Sequence, residues 1–88
     1  MPKVTSNLYS GVMPETDQRL AVLKYIADYR EAFGYSPSMR EIADDLEIAS
    51  TSTVAFHLGI LRARGLITQK DRTPRTIVLT QKGREEIA

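Results

Sequence analysis

The sequence predicts a mostly α fold of the α+β class, with three α-helices followed by a two-stranded β-hairpin. Apolar residues recur at helical spacing in three segments, and two of these begin next to a serine typical of helix N-caps. After Gly65 the helical spacing ends and β-forming residues follow. The chain has 88 residues, which is enough for one domain with one core.

The composition argues against several classes of protein. The chain contains no cysteine, so a disulfide scaffold and a thiolate metal site are excluded. It has no apolar run long enough to cross a membrane and no secretion signal at its start, so we expect a cytoplasmic protein. His57 is the only histidine and lacks partner ligands, so we expect it to pack or hydrogen-bond in the core, with no metal and no cofactor.

Charge is distributed unevenly along the chain. Residues 1–45 carry five Lys and Arg against seven Asp and Glu, a net charge of −2, whereas residues 46–88 carry seven against four, a net charge of +3. A basic half on a near-neutral domain is typical of a protein that orients an anionic partner. A solvated charged surface explains so modest a gradient equally well.

The first helix is predicted from about Thr16, which can cap it, to Phe33, and Gly34 follows in the position that ends helices. The preceding residues, 1–14, show no period and contain two prolines, so we predict a flexible N-terminal arm there. Tyr25 is expected at the rim of the core. Residues placed 100° apart gather one broad apolar arc, which contains Leu20, Val22, Leu23, Ile26, Ala27, Tyr29 and Phe33.

The second helix is marked by a capping box. Ser38 and Glu41 have the S-x-x-E spacing in which each side chain binds the backbone N–H of the other residue, so a short helix is predicted from about Met39 to Leu46. After a short turn, Ser50 can cap a third helix that ends at Gly65.

The third helix has two distinct faces. Leu58 and Leu61 each lie within 40° of Val54 in helical projection, so this stripe is predicted to face the core. The opposite, outward stripe contains Ser52, Phe56, Gly59 and Ala63.

The C-terminal third predicts a hairpin and a tail. The β-forming segments 66–70 and 75–79 are separated by turn residues, which predicts a pair of antiparallel strands. The domain is therefore expected over 15–80, followed by a tail at 81–88 that can form one or two helical turns.

Two helices joined by a short turn and followed by a basic hairpin predict a winged helix-turn-helix. The major groove of DNA is about 12 Å wide and admits one helix, so the outward stripe of the third helix is expected to enter it, with Thr51, Ser52, Thr53 and Phe56 at the bases. Cations on the hairpin would lie against the flanking phosphates. The residues predicted to contact phosphates are Ser38, Arg40, Arg62, Lys70, Arg72 and Arg75.

Several stretches together resemble the N-terminal DNA-binding domain of LexA repressors: "GYSPSMREIA", "STSTV", "HLGIL", "RGLI" and "TPRTI", over roughly 19–79. The resemblance implies a winged helix-turn-helix that binds double-stranded DNA at palindromic operators. It also implies a repressor of transcription on the nucleoid that forms a homodimer, if only on DNA. By position, it assigns base readout to Ser50, Ser52, Thr53, Ala55 and Phe56.

The sequence departs from that family in three respects. LexA repressors continue into a self-cleaving peptidase domain, for which 88 residues leave no room, so self-cleavage is not expected of this chain. Glu47 stands where the family usually has glycine, and a positive φ there would cost about 1 kcal/mol. The outward stripe carries no Arg, Lys, Asn or Gln between Ser52 and Ile60, which leaves readout to hydroxyls and to apolar contacts with thymine methyl groups.

A second interpretation stays open at this point. Phe56 and Ile60 could form an apolar patch that binds a larger regulatory protein, which would make the chain an interaction module. An enzyme is not expected, because no cluster of titratable residues has a spacing that suits catalysis.

Overall fold

The computed structural model describes residues 15–70, 73 and 75–88, with the backbone alone for 15–17. The predicted N-terminal arm and Arg72 lie outside these residues. The chain folds as the α+β class predicts, with helices around a small antiparallel hairpin. Its elements are α1 (Glu15–Phe33), α2 (Met39–Asp45), α3 (Thr51–Ala63), β1 (Ile67–Thr68), β2 (Val78–Leu79) and α4 (Gln81–Glu86).

Both predicted serine caps are present. At α2, Ser38 Oγ accepts from the Glu41 backbone N–H at 3.1 Å, and the Glu41 carboxylate accepts from the Ser38 backbone N–H at 2.9 Å. At α3, Ser50 Oγ accepts from the Thr53 N–H at 3.3 Å. These bonds satisfy backbone donors that have no partner within the helix, so they define where α2 and α3 begin.

The turn that joins α2 to α3 is a Schellman motif. The Ile48 N–H donates to the Ala43 carbonyl at 2.8 Å, and Glu47 adopts a left-handed φ of 57°. The end of α3 repeats this arrangement, with Leu66 N–H donating to the Leu61 carbonyl at 2.9 Å and Gly65 at φ 74°. The chain therefore tolerates a glutamate where the equivalent turn uses glycine.

The core forms where the three main helices and the hairpin meet. α1 contributes a stripe centred on Val22, Ile26 and Tyr29, all at most 3% exposed. Two expectations for α1 were wrong. Leu20 is 39% exposed because it lies on the far side of that stripe in helical projection, and Tyr25 is fully buried because its hydroxyl donates to the Asp45 carboxylate at 2.6 Å.

The hairpin is confirmed, but its strands are shorter than predicted. Ile67 pairs with Leu79 and Thr68 with Val78, and the ladder ends there. Beyond it, the Lys70 N–H donates to the side-chain Oγ1 of Thr76 at 3.1 Å, and that hydroxyl donates to the Thr73 carbonyl at 2.9 Å. The threonine side chain replaces the backbone pairing that the β-forming residues predicted.

The C-terminal segment forms a helix that docks on the end of α3. Thr80 caps α4 by accepting from the Gly83 N–H at 3.1 Å, and its own backbone N–H donates to the Leu66 carbonyl at 3.0 Å. Lys82 Nζ donates to the Arg64 carbonyl at 3.1 Å. Among the described helices, none has the length and apolar character that a membrane span requires.

Candidate nucleic-acid interface

The orientation of α3 is the feature from which the candidate site is built. Val54, Leu58 and Leu61 are at most 3% exposed and pack in the core, as the sequence predicted. Phe56, on the opposite side of the helix, is 54% exposed. The helix is therefore held along one stripe and leaves the other stripe accessible.

Hydroxyl groups surround the start of α3. Ser50, Thr51 and Ser52 are exposed, and Thr53 is half-buried beside the Ser50 cap, their hydroxyl oxygens 3.3 Å apart. The first turn of a helix presents unpaired backbone N–H groups and the positive end of the helix dipole, and α3 has no acidic residue in that turn. An anionic group such as a phosphate is favoured there.

His57 anchors α3 to α1, next to the outward face of α3. Its ring is buried, and Nε2 lies 2.7 Å from the Gln18 side-chain oxygen on α1, which agrees with the core role expected for this histidine. The ring centroid of Phe56 lies 5.7 Å from that of His57. The exposed phenylalanine thus stands next to an anchored neighbour.

A cleft lies between the start of α2, the start of α3 and the hairpin. We call it the hairpin cleft, and it is lined by Ser38, Arg40, Thr51 and Gln69, among others. Arg75 also lines this cleft, so the structure brings together four of the predicted site residues, which are spread over 38 positions of the chain. Gln69 was missed by the sequence analysis, although it is a polar residue directly after β1 and next to the predicted contact Lys70.

The remaining predicted cations are distributed over a wider area. Arg62 and Lys70 are exposed, the first in the last turn of α3 and the second at the start of the hairpin loop. With a rise of 1.5 Å per residue, Arg62 lies about 16 Å along the helix from Thr51. These two ends of α3 therefore cannot contact the same phosphate. Arg72 lies outside the described residues.

Arg75, which the sequence predicted as a phosphate contact, also contacts the body of the domain. Its Nη1 lies 3.0 Å from the Glu41 carboxylate and 3.3 Å from the Ser36 carbonyl oxygen. The guanidinium carbon also lies 5.1 Å from the centre of the Tyr35 ring, within the range of a cation–π contact. Arg75 itself has a left-handed φ of 61°.

Glu41 joins the hairpin to α1 and α2 through its charge. Its second oxygen accepts from the Tyr29 hydroxyl at 3.0 Å. Burial alone would raise the pKa of Glu41, but the bonds from the Ser38 backbone and from Arg75 outweigh burial and hold that pKa below its ordinary value. Hydrogen bonds to Tyr29 and Glu41 raise the pKa of Arg75, so the pair stays fully charged at neutral pH.

A second contact between the hairpin and the body lies beside this ion pair. Ser36 is fully buried, and its Oγ accepts from the Ile77 backbone N–H at 3.1 Å. On α1, Arg30 donates to the Ile77 carbonyl at 3.3 Å. Ile77, directly before β2, is therefore bound both to α1 and to the segment between α1 and α2, which fixes the base of the hairpin on the helices.

The arrangement has a counterpart among known proteins. The family described as LexA DNA binding domain matches residues 13–76, which includes α1, α2, α3 and β1. The chain belongs to the LexA DNA-binding domain family. The match ends before β2 and α4.

Curated relatives agree with this membership. The chain is 46% identical over 70 residues to the LexA repressor of Enterococcus faecalis, covering 80% of this chain and 34% of the relative. It is 38% identical over 74 residues to the LexA repressor of Lactobacillus johnsonii, covering 84% of this chain and 36% of the relative. The chain thus spans about a third of the length of these LexA repressors. Membership does not favour the alternative of a protein-binding module.

Proposed function

We propose that this domain binds double-stranded DNA in a sequence-specific manner and acts as a transcriptional repressor. The observation that carries the proposal is the free outward face of α3, with Phe56 exposed while Val54, Leu58 and Leu61 are buried. A helix held in this way can enter the major groove without rearrangement of the core. Membership in the LexA DNA-binding domain family supports the same assignment.

In this proposal the first two turns of α3 face the bases. Hydroxyl groups can donate to or accept from base edges, and apolar groups can contact thymine methyl groups. The Ser50 oxygen already serves as the helix cap, and its O–H can still donate to DNA. The proposed groove-facing residues are Ser50, Thr51, Ser52, Thr53, Ala55 and Phe56.

Phosphates would be held around this helix. Ser38 and Arg40 line the hairpin cleft. Arg62, in the last turn of α3, and Lys70, after β1, lie on exposed surface. Arg72, which lies outside the described residues, is proposed for the same role on its charge alone. Arg75 was predicted as a phosphate contact; its Nη1 is bound to Glu41 and its guanidinium lies over the Tyr35 ring, while 41% of the side chain remains exposed. We therefore propose that Arg75 positions the hairpin.

The partner is proposed to be an inverted-repeat operator on the nucleoid, bound by two copies of the domain. One domain presents a single recognition helix and so reads a single half-site. Specific DNA complexes bury about 1,000–2,500 Å² of protein surface, and single modules bury less. Two copies on a symmetric site supply the area that one copy lacks.

A binding selection from random duplex DNA at a fixed salt concentration tests the proposed function. We expect enrichment of a short sequence repeated in inverted orientation, because two copies related by a two-fold axis read the same bases on opposite strands. Recovery of unenriched DNA would show binding to the phosphate backbone alone. Absence of any retained DNA at low salt would contradict the proposal.

Charge variants add a matched comparison. Arg40→Ala, in the hairpin cleft, is expected to weaken binding to every duplex by a similar factor and to reduce the slope of log affinity against log salt by about 1. Lys24→Ala removes the same kind of charge from the exposed surface of α1 and should leave both quantities unchanged. Equal effects of the two variants would show that the hairpin cleft is not part of the DNA interface.

A further inference from the structure

We propose that Phe56 makes this domain a reader of thymine, its ring contacting the 5-methyl group of a thymine in the major groove. Each half-site of the operator would then contain an A·T pair at the position that faces Phe56. The inference rests on the proposed function, since it specifies what the same face of α3 recognises.

The chemistry of the outward face leads to this assignment. Guanine is read most often by Arg or Lys and adenine by Asn or Gln, and α3 has none of these between Ser52 and Ile60. The groups it does present there are hydroxyls and apolar side chains. Among the four bases of DNA, thymine alone carries an apolar methyl group on its major-groove edge. An apolar readout surface therefore matches thymine better than any other base.

The shape of the face makes Phe56 the residue that reaches the base. It is 54% exposed, the highest value among the large apolar side chains in the described part of the chain. Ala55 is exposed beside it, and Gly59 follows one helical turn later. A Cβ at Gly59 would meet nothing within 4 Å, so the fold itself does not require glycine there. The small neighbours leave the ring as the projecting group, with room around it for a base edge.

Phe56 is also adjacent to a residue that is anchored to α1. Its neighbour His57 is 1% exposed and lies 2.7 Å from the Gln18 side-chain oxygen, which fixes this part of α3 against α1. The Phe56 ring packs at a centroid distance of 5.7 Å from the His57 ring. A contact with a single methyl group benefits from such positioning, because dispersion attraction falls steeply with distance.

Single-atom changes in the DNA test the inference. Each thymine of the selected operator is replaced in turn by deoxyuracil, which keeps base pairing and removes only the methyl group. We expect one or two positions at which this replacement lowers the affinity of the unchanged protein by about fourfold, the equivalent of one buried methyl group at 0.8 kcal/mol. At the same positions Phe56→Ala should bind thymine and uracil duplexes equally well.

A second series of duplexes tests whether returning a methyl group to this position restores affinity. Replacing the A·T pair by a pair with cytosine in the thymine position should weaken binding, and 5-methylcytosine at that position should restore part of the loss, because it returns a methyl group to the same place. Arg40→Ala should weaken all duplexes yet keep the preference for thymine over uracil. Phe56→Leu should keep part of that preference.

The outcomes separate this inference from the proposed function. If the unchanged protein selects an operator but every thymine can be replaced by uracil without loss, DNA binding stands and the reading of thymine by Phe56 is wrong. The same conclusion follows if Phe56→Ala loses affinity on uracil replacement as much as the unchanged protein does. If the unchanged protein binds no duplex at all, the proposed function itself is wrong. Circular dichroism of Phe56→Ala should be unchanged, since the side chain is exposed.

Discussion

At the scale of single residues, Glu47 occupies the most strained backbone position of the helix-turn-helix. Its φ of 57° matches the 74° of Gly65, which holds the same place in the equivalent turn after α3. A residue with a Cβ is disfavoured in this left-handed region, by roughly 1–2 kcal/mol. The hydrogen bond from the Ile48 N–H to the Ala43 carbonyl keeps the turn closed in spite of this cost.

Replacing this glutamate by glycine should stabilise the domain. Glu47→Gly is expected to raise the free energy of unfolding by about 0.5–1 kcal/mol, because relief of the strain exceeds the added entropy of the unfolded chain. Urea denaturation measures the difference. The matched control Gly65→Ala introduces the same strain at the second turn and should lower stability by about 1 kcal/mol. A loss of stability in Glu47→Gly would show that the carboxylate itself stabilises the turn.

The lowered pKa of Glu41 predicts that the stability of the domain depends on pH. The pKa of the carboxyl lies below the ordinary value of 4.5 in the folded state, so its contribution is complete above that pH and is lost as the pH falls through the folded pKa. Glu41→Gln should lower the free energy of unfolding by about 1–2 kcal/mol at pH 7. At a pH below the folded pKa the difference should shrink.

Glu31 provides the control for this prediction. It lies on the exposed surface of α1. Glu31→Gln should change the free energy of unfolding by no more than about 0.5 kcal/mol at either pH. A difference between Glu41→Gln and the unchanged protein that persists in acid would mean that the charge of Glu41 contributes little and that packing accounts for the loss.

At the scale of elements, α4 depends on a glycine for its place. A Cβ on Gly83 would lie 2.0 Å from the carbonyl oxygen of Leu66, so the α4 backbone packs directly on the chain between α3 and β1. Gly83→Ala should destabilise the domain by about 1–3 kcal/mol, and hydrogen exchange should become faster in α4. Gly59→Ala, where the added Cβ meets nothing within 4 Å, should instead stabilise it by up to about 1 kcal/mol. Similar effects of the two variants would show that α4 is not docked in this way.

The hairpin is the second element, and Arg75 is one of the side chains that hold it on the body of the domain. Arg75 joins it to Glu41, Ser36 and the ring of Tyr35. Arg75→Ala should weaken operator binding at least about fivefold, because the hairpin loses its orientation, with the salt slope unchanged. Lys70→Ala should lower the salt slope by about 1. A similar fall in slope for Arg75→Ala would identify a direct phosphate contact instead.

At the scale of the whole molecule, size determines how much DNA one copy can read. The domain measures 29 × 28 × 28 Å, whereas successive major grooves on one face of DNA are about 34 Å apart. One copy therefore reaches one groove, and two copies fit side by side without overlap. Sedimentation should show two copies on an inverted-repeat duplex and one copy on a half-site, with half-site binding about 100-fold weaker. One copy per full operator would contradict this stoichiometry.

Much of the fold could be predicted because it depends on neighbours along the chain. The caps at Ser38 and Ser50, the end of α3 at Gly65 and the inward stripe of α3 arise from contacts within a few residues. These features also predicted which side of α3 is exposed, since burying Val54 and Leu58 leaves Phe56 on the opposite side. The candidate site was predicted to this extent, and its base-facing residues remain predictions.

The other features depend on residues far apart in the chain, whose meeting no local pattern encodes. Arg75 contacts Ser36, which is 39 positions away, and the buried Tyr25 donates its hydroxyl hydrogen bond to Asp45, 20 positions away. The close packing of Gly83 on Leu66 and the place of Gln69 in the hairpin cleft arise in the same way. Local propensity and periodicity act over one or two turns of chain, so they specify helices and their faces. The path of the hairpin and the partners of its charges follow from how those elements pack together.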